Sequence, residues 1–227
     1  MCGRYYRRSD KQRIAEAFHL GKLPDDFVLP PDYNVAPTTF QPVIRNSRDE
    51  GARELVLMRW GMVPYFAKSL DAFKGMSTIN AKAETLQSSA TWRVPFARRR
   101  CLVPADGFYE WKKLDAKTRQ PFGFSMADGQ PFAFGGLWDA WKEPDGGWLQ
   151  SFSIITTDSN ELTATVHNRM PLIVPPKDYE QWLSREEGGQ PPVDLLRPFP
   201  AEEMKAEEVS KDVGNVRNNH PELLNSA

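Results

Sequence analysis

The sequence predicts a single α+β domain: a curved, barrel-like, mostly antiparallel β-sheet with short helices at its periphery. Three observations predict it. Runs in which aromatic and β-branched residues alternate with smaller or polar ones recur along most of the chain. Nineteen prolines and fifteen glycines cut those runs into short pieces. Helical spacing is confined to a few short stretches. The 227 residues suffice to bury a core without disulfide or metal staples, and one domain over residues 1–227 is expected, with a peripheral tail from about residue 220.

Taken in order, SDKQRIAEAFHL (9–20) reads as a helix, with Ser9 as cap and Ile14 and Phe18 one turn apart. The strand-like runs are QPVIRN, ELVLMRWG, RRRCLVPADGFYEWKK, QPFGFSM, QPFAFGGLWD and WLQSFSIITT. ADGQP (127–131) separates two of them and carries the Asp-Gly pair of a hairpin turn. SNELTATVHN (159–168) is expected as a short helix capped by Ser159. DYEQWLSREE (178–187) follows as another, with Tyr179, Trp182 and Leu183 on one side. Most of the seven tryptophans belong in the core, because buried aromatics carry the largest area per residue.

The formal net charge of −1 excludes a generally basic nucleic-acid binder, but not a local basic surface. Arg4, Arg7, Arg8, Lys11 and Arg13 make the first thirteen residues basic, Arg93 and Arg98 to Arg100 form a second cluster, and AEEMKAEE (201–208) offsets them. Two cysteines, Cys2 and Cys101, with no CxxC pair, argue against a disulfide framework or a zinc site. No metal and no cofactor are expected. The polar N-terminus lacks a signal-peptide core and no stretch approaches a membrane span. The expectation is a monomeric cytoplasmic protein with no membrane partner, whose cysteines stay reduced.

Position two is special: removal of Met1 places an α-amine and a thiol on adjacent carbons of Cys2, a pair no internal cysteine offers. Four further polar residues sit in apolar or proline-bounded contexts: Asn34 in DYNVAPTT, Asn80 in STINAKAET, Glu110 in GFYEWKK and His167 in TVHNRMP. A carboxyl flanked by aromatics and facing the core has a raised pKa suited to a general acid. Plain strand alternation, with Glu110 turned outward, is the alternative. Asn80 fits a turn equally well, and His167 fits a structural role.

MCGRYY, YNVAPTTFQPVI, RWGMVP, INAKAET, RRCLVPADGFYEWKK, FSIITTDSN, HNRMPLIV and VGNVRNN occur in this order across residues 1 to 219. Together they resemble the SOS response-associated peptidase (SRAP) family. The resemblance implies a sensor of abasic sites in single-stranded DNA, at strand–duplex junctions among others, nucleoid-associated when bound to damage. It implies covalent capture of the open-chain sugar aldehyde by Cys2 as a thiazolidine, once Met1 is removed autocatalytically or by an aminopeptidase. By the same resemblance, Asn80 positions the amine or sugar, while Glu110 and His167 handle protons. The implied DNA contacts are Arg4, Lys82 and Arg169 on phosphates, Gly3 leaving room for the backbone, Trp60 and Pro37 as stacking or wedging residues, and Asn34. Lys82 stands where family members often carry arginine, so it keeps the charge without the bidentate fork. Two other readings remain: a peptidase using Cys2 with His167 and Asn80, and a non-covalent single-strand binding module.

Overall fold

The continuous run from Arg98 to Lys113 is two strands that belong to different sheets. In the computed structural model, which describes residues 2–21, 23, 26–47, 52–70, 78–185 and 190–225, strand β6 (Arg100–Ala105) ends at Asp106 and β7 (Gly107–Lys113) leaves in a second sheet. Asp106 makes the corner. Its buried carboxylate accepts the Arg8 and Ser9 backbone N–H groups at 2.8 Å each and the Ser9 hydroxyl at 2.7 Å. Gly107 follows because a Cβ there would lie 2.3 Å from the Tyr6 ring.

The first sheet closes on itself. Strands β3 (Phe40–Asn46), β4 (Arg53–Trp60), β6, β9 (Phe132–Lys142) and β10 (Trp148–Asp158) form a five-stranded ring in the order β10-β4-β3-β6-β9, closed by β9–β10 pairing. All its pairings are antiparallel except β4 with β10. Strands β5 (Asn80–Lys82) and β11 (Arg169–Pro171) add to β10, β5 in parallel, and β12 (Ile173–Val174) adds to β9. The second sheet runs β13 (Met204–Glu208), β8 (Arg119–Met126), β7, β1 (Tyr5–Arg7), β2 (Asp32–Val35), all antiparallel. The fold class is therefore the expected α+β, and the expected curved, barrel-like, mostly antiparallel sheet is a closed five-stranded barrel with one parallel pairing.

Period-two alternation builds two cores. Val43, Cys101, Val103, Phe134, Phe152 and Ile154 share one cluster with Phe108, Phe124 and Tyr5 of the second sheet. Their sequence neighbours Ile44, Leu102, Ala133 and Ile155 face the other way. There they pack under α1 (Lys11–Ala17), α2 (Arg93–Arg98) and α4 (Tyr179–Leu183), whose Ile14, Phe96 and Trp182 are buried in the same cluster.

Four local expectations are corrected. Asp10, not Ser9, caps α1, accepting from the Arg13 N–H at 2.9 Å, because Ser9 is held by Asp106. Asn160, not Ser159, caps α3 (Glu161–Ala164), accepting from the Thr163 N–H at 2.8 Å. ADGQP is no hairpin: Gly129 does take a left-handed φ of 71°, yet β8 and β9 lie in different sheets, so the turn is a corner between layers. The chain beyond residue 220 is not simply peripheral, since Leu223 is fully buried against Tyr6, Tyr109, Val209 and Val213. The helix expected over 178–187 is observed as α4; residues 186 and 187, like Met1, lie outside the described residues. Among the described residues, no helix is long and apolar enough to cross a membrane.

Candidate active site at one end of the barrel

Strands β4, β6 and β10 run in the same direction, so Trp60, Ala105 and the end of β10 lie at one end of the ring. The N-terminal strand packs there. Tyr5 meets Trp60 and Phe134 edge to face, with ring centroids 5.3 and 5.5 Å apart. This draws Cys2 into the barrel cluster, fully buried, its thiol 3.9 Å from the Arg4 carbonyl oxygen. Burial pushes the thiol pKa above its ordinary range, and the neighbouring Glu110 carboxylate pushes it further. The sulfur is therefore held as a neutral thiol.

Glu110 faces inward rather than out, as its near-complete burial on β7 shows. Desolvation raises its pKa, and the positive form of His167 acts against that rise. Glu110 is thus the charge that links Cys2 to His167. His167 follows α3, its backbone N–H donating to the Thr163 carbonyl at 2.8 Å. The ring Nδ1 lies 3.0 Å from the Arg169 backbone nitrogen and 3.2 Å from the Arg169 carbonyl oxygen. The backbone N–H can only donate and is the closer, so Nδ1 accepts and the neutral ring carries its proton on Nε2.

Asn80 begins β5, opposite Ile154 of β10, with its Nδ2 donating to the Ile154 carbonyl at 3.4 Å. Its buried Oδ1 has no partner among the described residues. Leaving such an acceptor unmade costs about 1–3 kcal/mol, so the site holds an acceptor poised for an incoming N–H or O–H. Two residues along the same face of β10, the Thr156 hydroxyl is likewise buried and unpartnered. Sequence reasoning missed Thr156, because a threonine inside a β-branched run reads as an ordinary strand former.

The residues expected to hold DNA fare differently. Lys82 is exposed beside Thr156, its partner in the β5–β10 register. Gly3 and Pro37 are half-buried. Trp60 is a correction: it is fully buried, stacked on Phe152 at 6.4 Å, and its indole N–H donates to the Ile79 carbonyl at 2.9 Å. No base can reach its ring. Exposed rings that follow it in the chain are Tyr65 and Phe66, packed edge to face at 5.4 Å. Arg4 and Asn34 are both engaged within the protein. The Arg4 guanidinium donates to the Asn34 Oδ1 at 2.6 Å and to the Val213 carbonyl at 2.9 Å. The Asn34 amide donates to the carbonyls of Val213, Asn215 and Asn218. Both clasp the VGNVRNN segment onto the N-terminal strand. Arg169 is paired on the surface with Glu84 and Asp158.

A pH test follows from the burial of Glu110. A carboxyl whose folded pKa is raised favours the fold at pH below its unfolded pKa and loses that contribution as pH rises through the folded value. Glu110→Gln is expected to gain Tm relative to the parent as pH is raised from acidic to neutral. A difference flat with pH, measured by thermal melts, would remove burial as the dominant influence.

The family model described as SOS response associated peptidase (SRAP) matches residues 1–216. The chain is 38% identical over 227 residues to the abasic site processing protein YoqW of Bacillus subtilis (strain 168), covering 100% of both. It is 31% identical over 255 residues to the abasic site processing protein HMCES of Mus musculus, covering 97% of this chain and 70% of that one. An X-ray crystal structure of a protein from Bacteroides thetaiotaomicron superposes with a TM-score of 0.87 at 25% identity, over 100% of both chains. On the match over residues 1–216 and on these identities, the chain belongs to the SOS response associated peptidase (SRAP) family.

Proposed function

We propose that this protein processes abasic sites in single-stranded DNA by capturing them covalently at Cys2. The observation that carries the reading is the burial of Cys2 and Glu110 on chain segments joined by the β1–β7 pairing, with His167 near enough for its charge to act on Glu110. The names of the relatives, abasic site processing proteins, support the substrate.

With Met1 gone, the Cys2 nitrogen is an α-amine with an ordinary pKa of roughly 7.7–8.0, neutral in useful fraction near pH 7. It attacks C1′ of the open-chain sugar aldehyde, and loss of one water leaves an imine. The thiol sulfur then bonds to the imine carbon, its proton passes to the nitrogen, and a five-membered thiazolidine closes. In this reading Glu110, with its raised pKa, gives and takes the protons of these steps. His167, with Nε2–H outward from its Arg169 contact, assists ring opening of the sugar. The unpartnered Asn80 Oδ1 receives an N–H or O–H of the incoming amine or sugar. The ring removes the imine that otherwise promotes β-elimination and strand breakage. A peptidase reading needs a Cys2 thiolate, which burial and the Glu110 carboxylate both oppose.

Intact-mass analysis before and after mixing with an abasic single-stranded oligonucleotide tests this. The expected product lacks Met1 and weighs protein plus DNA minus one water. Met1-free protein that gives no such product would overturn the reading. Glu110→Gln is expected to slow adduct formation by about 10²-fold or more in quenched time courses.

A further inference from the structure

The rim beside this site carries two cations and two carboxylates whose charges cancel. Lys82 pairs in register with Thr156 of β10, and the Arg169 Nη2 donates to the Thr156 carbonyl at 2.7 Å, so both cations border the same residue. Arg169 lies two residues from His167, whose Nδ1 its backbone N–H holds. A phosphate flanking a sugar at Cys2 and His167 would meet this guanidinium.

The guanidinium is already engaged. It pairs with both oxygens of Glu84, the Nη2–Oε2 contact at 3.0 Å, and with the Asp158 Oδ1 at 2.9 Å. Its side chain is 14% accessible, whereas those of Glu84 and Asp158 are 52% and 82% accessible. The cation therefore lies beneath its anions. The Arg169 hydrogen bonds hold the Glu84 carboxyl below its ordinary pKa range, so it stays charged at neutral pH. Carboxylate oxygens occupy the same forked donors a phosphate would use.

We infer that Glu84 and Asp158 are built-in competitors of DNA phosphate for Arg169, which weaken binding to intact single strands so that residence on DNA depends on covalent capture. This rests on the reading of the Cys2 site above. A strand that binds must displace two carboxylates from the guanidinium, so Arg169 adds little net charge to the encounter. Discrimination between intact and abasic DNA then resides in the chemistry at Cys2 rather than in affinity.

The test is a salt series of binding to intact oligothymidine. The isosteric, surface-exposed double variant E84Q/D158N is expected to bind about threefold tighter or more at low salt, with a log–log salt slope steeper by about 0.7, the value of one added phosphate contact on a single strand. Adding R169Q is expected to abolish that gain, because the carboxylates act on binding through this guanidinium. E143Q/D145N removes two carboxylates at the turn between β9 and β10, at the opposite end of the barrel, and is expected not to reproduce the steeper slope. The inference fails if E84Q/D158N binds no tighter than the parent. It fails equally if the gain survives R169Q, or if E143Q/D145N matches it. A parallel arm with abasic oligonucleotide separates the two readings. Absence of adduct from every protein would remove covalent capture, while the oligothymidine series would still decide whether the carboxylates compete.

Discussion

Cys2→Ala protein is expected to yield no heat- and SDS-stable adduct with abasic single-stranded DNA, whereas the parent yields one. The α-amine survives the substitution, so the imine still forms and still collapses by β-elimination. The predicted product is therefore a broken strand in place of a protected one. A denaturing gel separates the two outcomes, since adduct migrates slowly and cleaved oligonucleotide quickly. An equally stable adduct from Cys2→Ala would sink the ring mechanism, because no other group in the site supplies a sulfur next to the reacting amine. Cys101 is buried within β6 and carries no amine. The buried carboxyl of Glu110 and the unpartnered oxygen of Asn80 remain in this variant, so the change isolates the sulfur's part in the chemistry.

Trp60→Ala is expected to destabilise the protein by about 3–5 kcal/mol, as large-to-small changes of buried aromatics do. Trp60 has no accessible surface, and its removal empties a space bounded by Tyr5 and Phe152 and takes away one of the two hydrogen bonds the Ile79 carbonyl accepts. Tyr5 belongs to the strand that carries Cys2 inward, so the cavity also loosens the site. Chemical denaturation measures the loss. A variant as stable as its parent but weak on single-stranded DNA would restore the stacking role that the buried position denies.

Much of the fold was legible from local chemistry. The alternation in WLQSFSIITT put Phe152 and Ile154 on one face and Ile155 on the other, and the same rule holds along β3, β6 and β9. Sheet membership was not legible. RRRCLVPADGFYEWKK keeps one pattern across Asp106, and only the Ser9 and Arg8 donors that Asp106 gathers from elsewhere in the chain break it into two layers. The Asp-Gly turn at residues 128–129 was recognised, yet a turn states how the chain reverses and not which strand it will pair with. Caps moved by one residue for a similar reason: Ser9 and Asp10 are both competent, and a distant carboxylate decided between them.

The candidate site divides along the same line. Chemical identity belongs to the sequence: a cysteine at position two and a carboxyl between aromatics are properties of order along the chain, and they need no fold to be read. Availability belongs to the tertiary structure. Arg4, Asn34 and Arg169 look alike as polar residues near motifs, but each is engaged by partners between 11 and 209 positions away in the chain. A side chain's charge is written in its covalent structure, whereas the dielectric around it and the groups that neutralise it exist only once distant segments pack together.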